Sequence, residues 1–299
     1  MTRRYRRPSG NPQVALVTCA ELPDLDPDDQ LVRASLERAG VAVTAAVWDD
    51  PTVAWEAYDL VVLRSTWDYS RRRDAFVDWA AKVPRLANPA EVVAWNTDKR
   101  YLRELAEAGV PVVATTWVAP GDEWQAPAAG LWVIKPAVSA GSLDTGRYDC
   151  ADPAHRALAL DHIARLHASG RLVMVQPYLG TVDTHGETGL LYLEGAYSHA
   201  IRKGPMLRGP DVPRPGLYEP EHITPRQPST AERAVADAAL GALPFPPDRL
   251  LYARVDLLDA GPRGPVVIEL ELTEPSLFLA TAAGSADRLA AAITRRVRP

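Results

Sequence analysis

Cysteine is almost missing from this chain, with only Cys19 and Cys150 among 299 residues. The pair forms neither a disulfide framework nor a metal-ligand pattern, which excludes a disulfide-stapled secreted domain and a zinc module. No apolar run approaches the roughly 20 residues that cross a bilayer, and no signal-peptide pattern opens the sequence. A cytoplasmic protein with no membrane partner is therefore expected. GxxxxGK[ST], GxGxxG and GxSxG are all lacking, as are a legible Ser–His nucleophile pair and any internal repeat. An excess of positive charge is lacking too, since the formal net charge is −5, which argues against a nucleic-acid partner. The exception is the basic run Arg3, Arg4, Arg6 and Arg7, which precedes any apolar segment. It reads as a solvated extension or, alternatively, as a contact for RNA or a membrane.

What remains is an ordinary globular composition, 47% hydrophobic and 24% charged, in a chain long enough for two or three domains. Residues 14–19 (VALVTC) form a short apolar run of the buried parallel-strand type. An acidic loop with Asp24, Asp26, Asp28 and Asp29 follows, then a helical pattern through Leu31 and Leu36 that Gly40 stops. Further strands are expected at 41–47 and 60–63. This spacing predicts an open α/β domain, whose ligands sit beyond the carboxyl ends of the strands. Two segments occupy such ends, residues 18–29 and the six-residue stretch Arg64, Ser65, Thr66, Trp67, Asp68 and Tyr69. The second reads as a substrate loop or as the capped start of the helix carrying Phe76 and Trp79.

A further unit begins at Trp95-Asn96-Thr97-Asp98-Lys99, with a helix through Leu102 and Leu105. Residues 131–136 (LWVIKP) predict a strand that ends on a lysine and runs into small residues, including Ser139, Gly141 and Ser142. Backbone N–H groups in such a loop can approach phosphate oxygens, while the lysine supplies a point charge. Strands are expected at 172–179, 190–193 and 196–203, and residues 204–228 carry no periodicity, as a lid or a disordered segment would. Residues 250–279 read as a hairpin about a Gly/Pro break. With the loop centred near Pro262, Asp256 falls opposite Glu269, and Asp256, Glu269 and Glu271 share a face. Like charges so placed destabilise a sheet unless a cation such as Mg²⁺ joins them. The competing reading is a solvated outer face. Helices are expected at 230–240 and 286–296.

The order of these features resembles the ATP-grasp superfamily: Lys99, Lys135, the Ser/Gly loop, the VQPYL hinge, Glu187, Arg202 and then RVD…IELE. The resemblance covers the chain from Val14 onward. It implies an α/β and α+β protein with three parts: an N-terminal α/β substrate domain (1–95, with 1–12 a disordered tail), a central subdomain (96–179) and a C-terminal metal and catalytic subdomain (180–299). It also implies ATP and Mg²⁺ as cofactors. Lys99, Lys135, Ser139, Gly141 and Ser142 would hold phosphates. Val175, Gln176, Tyr178 and Leu179 would line adenine, and Glu187 would take the ribose or orient a lysine. Arg202, helped by Lys203, would stabilise the transferring phosphoryl group, and Asp256, Glu269 and Glu271 would hold the metal. Glu271 stands where relatives commonly carry Asn, and Gln176 where an acidic residue is common. The RSTWDY and ELELTEPSLFL segments look most like the cyclo-ligases that form D-cycloserine from O-ureido-D-serine. Arg254, Ser276, Asp24, Arg64, Ser65, Thr66 and Asp68 would then contact a small amino-acid-like substrate. An intermolecular carboxylate–amine ligase and a non-catalytic ATP-binding module are the alternatives. Dimers are common among such ligases, and no segment identifies an interface.

Overall fold

The computed structural model describes residues 10–212, 216–218 and 221–298, so the basic run at Arg3 to Arg7 lies outside it. The first sheet holds β1 (Gln13–Thr18), β2 (Ala42–Val47), β3 (Leu60–Ser65) and β4 (Leu86–Ala87), all parallel, in the order β2-β1-β3-β4. Along β1, Val14 and Leu16 enter one apolar cluster while Ala15 and Val17 enter another, so the sheet is covered on both faces. Helix α1 (Pro27–Arg38) starts where the Asp26 carboxylate accepts the Asp28 N–H and Pro27 presets the first turn. Helix α2 (Arg73–Ala80) packs Phe76 under the other face, and α3 (Ala90–Asn96) and α4 (Tyr101–Glu107) lead onward.

The second sheet is antiparallel and runs β5-β8-β6-β7, from β5 (Thr116–Val118), β6 (Leu131–Pro136), β7 (Gly146–Asp149) and β8 (Val173–Pro177). Helix α5 (Pro153–Ala168) covers it with Ile163 and Leu166 against Ile134, Val173 and Val175. The strands β5 and β7 were not expected, being short and, in the case of Gly146-Arg147-Tyr148-Asp149, without an apolar run.

After α6 (Val182–His185), the third sheet contains β9 (Glu187–Leu193), β10 (Ala196–Lys203), β11 (Ile223–Arg226), β12 (Tyr252–Asp259) and β13 (Pro265–Glu271), in the order β11-β10-β9-β12-β13. Helix α7 (Thr230–Gly241) starts on a capping box, in which Ser229 and Glu232 satisfy each other's backbone N–H. Residues 204–228 are not structureless throughout, because β11 pairs with β10 and places Ile223 opposite Lys203. The β12–β13 hairpin adopts the expected register, Asp256 opposite Glu269 and Arg254 opposite Glu271, with a bulge at Ile268. Helix α8 (Ser285–Val297) returns to α1, where Ser35 donates to Asp287 at 2.7 Å. Its Leu289 and Ile293 sit in one cluster with Val14 and Leu16 of the first sheet and Leu191 and Ile201 of the third.

Two buried asparagines join the first part of the chain to the hairpin. Asn88 donates to Tyr252 O at 2.9 Å and Leu272 O at 2.7 Å, and accepts from Leu251 N. Asn96 donates to Leu270 O and accepts from Leu272 N, both at 2.7 Å. Among the described residues no helix is long and apolar enough to cross a membrane.

Candidate active site

One cavity of about 360 Å³ is lined by residues of the second and third sheets, by the small-residue loop, by Asp26, Asp28 and Trp67 from the segments that follow β1 and β3, and by Met206, Leu207 and Tyr218. Lys135, at the end of β6, reaches into it, and burial pushes its ammonium down to about 8 against the Coulombic pull of Glu269. Lys99 donates to Ser139 O at 2.7 Å and lies 3.1 Å from Glu269. Lys203 is ion-paired to Glu187 and, at 2.8 Å, to Asp256. Burial pushes Glu187 up to about 7 even against Lys203. Burial also raises Glu271, to about 8, although Arg254 beside it opposes the shift. Glu269 moves the other way, because Lys99 and Lys135 outweigh its burial.

The bulge explains why Ile268, Glu269 and Glu271 all line the cavity. A regular strand would send Ile268 and Glu269 to opposite faces, whereas the extra residue lets both face inward. Ser139, Gly141, Ser142, Gln176, Tyr178, Leu179 and Ser276 are also in the lining. Gln176 donates to Thr115 at 2.9 Å, and its buried Oε1 has no partner among the described residues. Gly141, with φ +60°, has a second reason to be small: a Cβ there would lie 2.3 Å from Leu217 O. Residues 216–218 thus roof this loop. Tyr218 packs edge-on to Trp67 at 5.1 Å, and Arg71 donates to Gly216 O at 2.8 Å.

Several expected site residues are elsewhere. Arg202 points away from the cavity and donates to His185 O and Thr184 O, because β10 alternation gives the inward face to Lys203. Asp256 is fully buried behind the lining, held by Arg254 at 2.9 Å and by Lys203. Among the described residues no group of three or more His, Cys, Asp or Glu side chains is arranged to hold a metal, so the expected trio of carboxylates is not assembled as such. Glu269 and Glu271 remain at the cavity. Val175 packs under α5 instead of lining it. Asp24 is exposed, and the acidic loop presents Asp26 and Asp28 to the cavity in its place. Arg64 and Ser65 are buried on Asp29, both at 2.7 Å, Asp68 is held by Trp48 and Arg72, and Thr66 is buried outside the lining. From that six-residue stretch it is Trp67 that reaches the cavity. Sequence reasoning also passed over Glu274 and Phe278, which line it; the signal that could have found them was their place in the ELELTEPSLFL segment just after β13.

A curated relative from Streptomyces lavendulae, "Cycloserine biosynthesis protein DcsG", is 39% identical over 308 residues, spanning 96% of this chain and 99% of that one. The chain belongs to the D-cycloserine synthetase family. The model for the N-terminal domain of D-cycloserine synthetase DcsG matches residues 14–88. A crystal structure of D-cycloserine synthetase DcsG superposes with a TM-score of 0.83 at 38% identity, covering 96% of this chain and all of that one. The D-alanine–D-alanine ligase from Bacillus anthracis superposes at 0.65 with 12% identity, covering 96% of this chain and 97% of that one, a likeness of fold alone. The fold is ATP-grasp, and the protein is an ATP-dependent carbon–nitrogen ligase.

Proposed function

We propose that this ligase closes O-ureido-D-serine into the D-cycloserine ring. The observation that carries the reading is the cavity in which Lys99, Lys135 and Lys203 face Glu269 and Glu271 while Asp26, Asp28 and Trp67 enter from the segments that follow β1 and β3. Three lysines suit a triphosphate, and the orphan Gln176 Oε1 suits the adenine amino group, with Val133, Leu258 and Ile268 as apolar walls. The donor set also fits Mg²⁺, which is ordinarily held by one or two carboxylates together with substrate phosphates. Glu269 and Glu271 would hold it, and for Asp256 to join them it would have to give up Lys203 or Arg254. The ion would neutralise charge on the phosphates.

The chain's own groups position and neutralise, and no protein nucleophile is needed. The substrate carboxylate takes the γ-phosphoryl group of ATP, releasing ADP, with Lys203 and Arg254 beside the developing charge. The nitrogen bound to the substrate's side-chain oxygen then attacks the acyl carbon, forming the C–N bond as phosphate leaves. The carbamoyl group is lost by hydrolysis. Tethering gives such a closure a high effective molarity, so the site must chiefly bend and activate one molecule.

The test is a product analysis with O-ureido-D-serine, D-serine and D-alanine, each with ATP and Mg²⁺. Ring product and ADP from O-ureido-D-serine alone are expected. A joined product from two amino acids would establish the intermolecular alternative, and no ADP with any of them would refute both.

A further inference from the structure

The five residues after the hairpin, Thr273 to Leu277, are held to an unusual degree. Every carbonyl in the run accepts a hydrogen bond from a side chain. Tyr252 donates to Thr273 O at 2.9 Å, Trp67 to Glu274 O at 3.0 Å, and Arg64 to Pro275 O at 3.0 Å. Arg254 donates to Ser276 O at 2.8 Å, and His199 Nε2 lies 2.9 Å from Leu277 O. The donors are themselves buried. This run bears one ionisable side chain, Glu274, which is 7% exposed and lines the cavity. Backbone fixed at every carbonyl is what a reacting group needs to hold its place, and it gives Arg64 and Trp67 a use that substrate contact does not.

The proposed ring closure needs a proton acceptor that ordinary amide formation does not. An amine attacks with a free lone pair and loses its proton afterwards. The attacking nitrogen of O-ureido-D-serine lies between an oxygen and a carbamoyl carbon, and its lone pair is delocalised into that carbonyl. Its N–H must therefore be removed as the new bond forms.

We propose that Glu274 is the general base of the ring-closing step. The inference rests on the proposed substrate. The carboxylate takes the N–H proton, and the nitrogen electron pair forms the C–N bond to the acyl carbon. The C–O bond to phosphate breaks with its electrons going to the leaving phosphate, and the proton passes to water as product departs. Burial raises the Glu274 carboxyl to about 7, while the Tyr69 hydroxyl and then Lys99 act to lower it, Glu269 raises it and Arg254 lowers it. Such a group is ionised just above neutral pH yet basic enough to accept a proton. Tyr69 also packs between Phe76 and this site, stacking on Phe76 at 5.0 Å, and acts as a positioning residue.

The experiment compares wild type with Glu274→Gln on O-ureido-D-serine, ATP and Mg²⁺, with and without hydroxylamine. Hydroxylamine has a free lone pair, so it traps the acylphosphate as a hydroxamate without a protein base. Ring product in the variant should fall by about a hundredfold or more, the range for loss of a general base, while hydroxamate formation persists. Unchanged ring closure, or loss of both products together, overturns the assignment. Tyr69→Phe gives a second readout. Without the hydroxyl the carboxyl is expected to titrate higher, so the acid limb of ring closure should move to higher pH, and a limb that stays in place counts against Glu274. A wild-type enzyme that makes hydroxamate but never the ring refutes the cyclisation itself, an outcome separable from a wild type that cyclises and a variant that does so equally well.

Discussion

Lys135 and Arg202 show how much a single position decides. Both are cations at strand ends, but Lys135 is buried in the cavity, and Arg202 is spent on the carbonyls of His185 and Thr184. Desolvation disfavours the charged form of Lys135, a cost that triphosphate oxygens would offset. Lys135→Ala should therefore lower ATP affinity by roughly tenfold to a hundredfold, the value of a hydrogen bond to a charged group. Calorimetric titration measures this, and an unaltered affinity would refute the phosphate reading. The residue types at the site were legible as lysines, small residues and carboxylates in a particular order. The committed state of Asp256 was not, because its two cations come from positions two and fifty-three residues away in the chain.

At the scale of elements, α5 and β7 carry a buried histidine–tyrosine pair that also meets Asp211. Tyr148 and His162 Nδ1 are 2.7 Å apart, and Asp211 N donates to the Tyr148 hydroxyl at 3.2 Å. Burial holds His162 down to about 4 in the folded protein, against an ordinary value near 6.5. Between those values the unfolded chain binds a proton that the folded one refuses, so stability falls as pH drops from about 6.5 to about 4. Urea unfolding across that window should show a shallower pH slope for His162→Asn than for wild type, and equal slopes would sink the claim. The end of α1 was readable from Gly40, whereas its start was not, because Asp28 and Asp29, expected in the loop, belong to the first turn behind the Asp26 cap. The strand β7 was not readable either, since its place in the sheet comes from pairing with β6 and not from its own sequence.

For the whole molecule, the joining groups are polar and few. Asn88 satisfies two carbonyls and one N–H of the hairpin region and has no exposed surface. Removing it leaves buried backbone groups unpaired at about 1–3 kcal/mol each. Asn88→Ala should therefore destabilise the protein by roughly 3 kcal/mol, seen as a lower thermal midpoint and as impaired turnover, because the same contacts carry the cavity wall. A variant within about 0.5 kcal/mol of wild type, the scatter for surface changes, would show that the asparagine is not a joint.

The sequence by itself determined most of the longer strands and helices and the hairpin register, together with the ligase family. Periodicity, caps and turn chemistry are local, and the motif order is a property of the chain. Only the tertiary structure decided which charges face the cavity. It turned Lys203 inward and Arg202 outward, closed Asp256 behind Arg254, and fixed Glu274 beside Trp67 and Tyr69. The reason is physical: which side chain is free depends on partners brought from distant strands, and burial sets their protonation only after those strands have met.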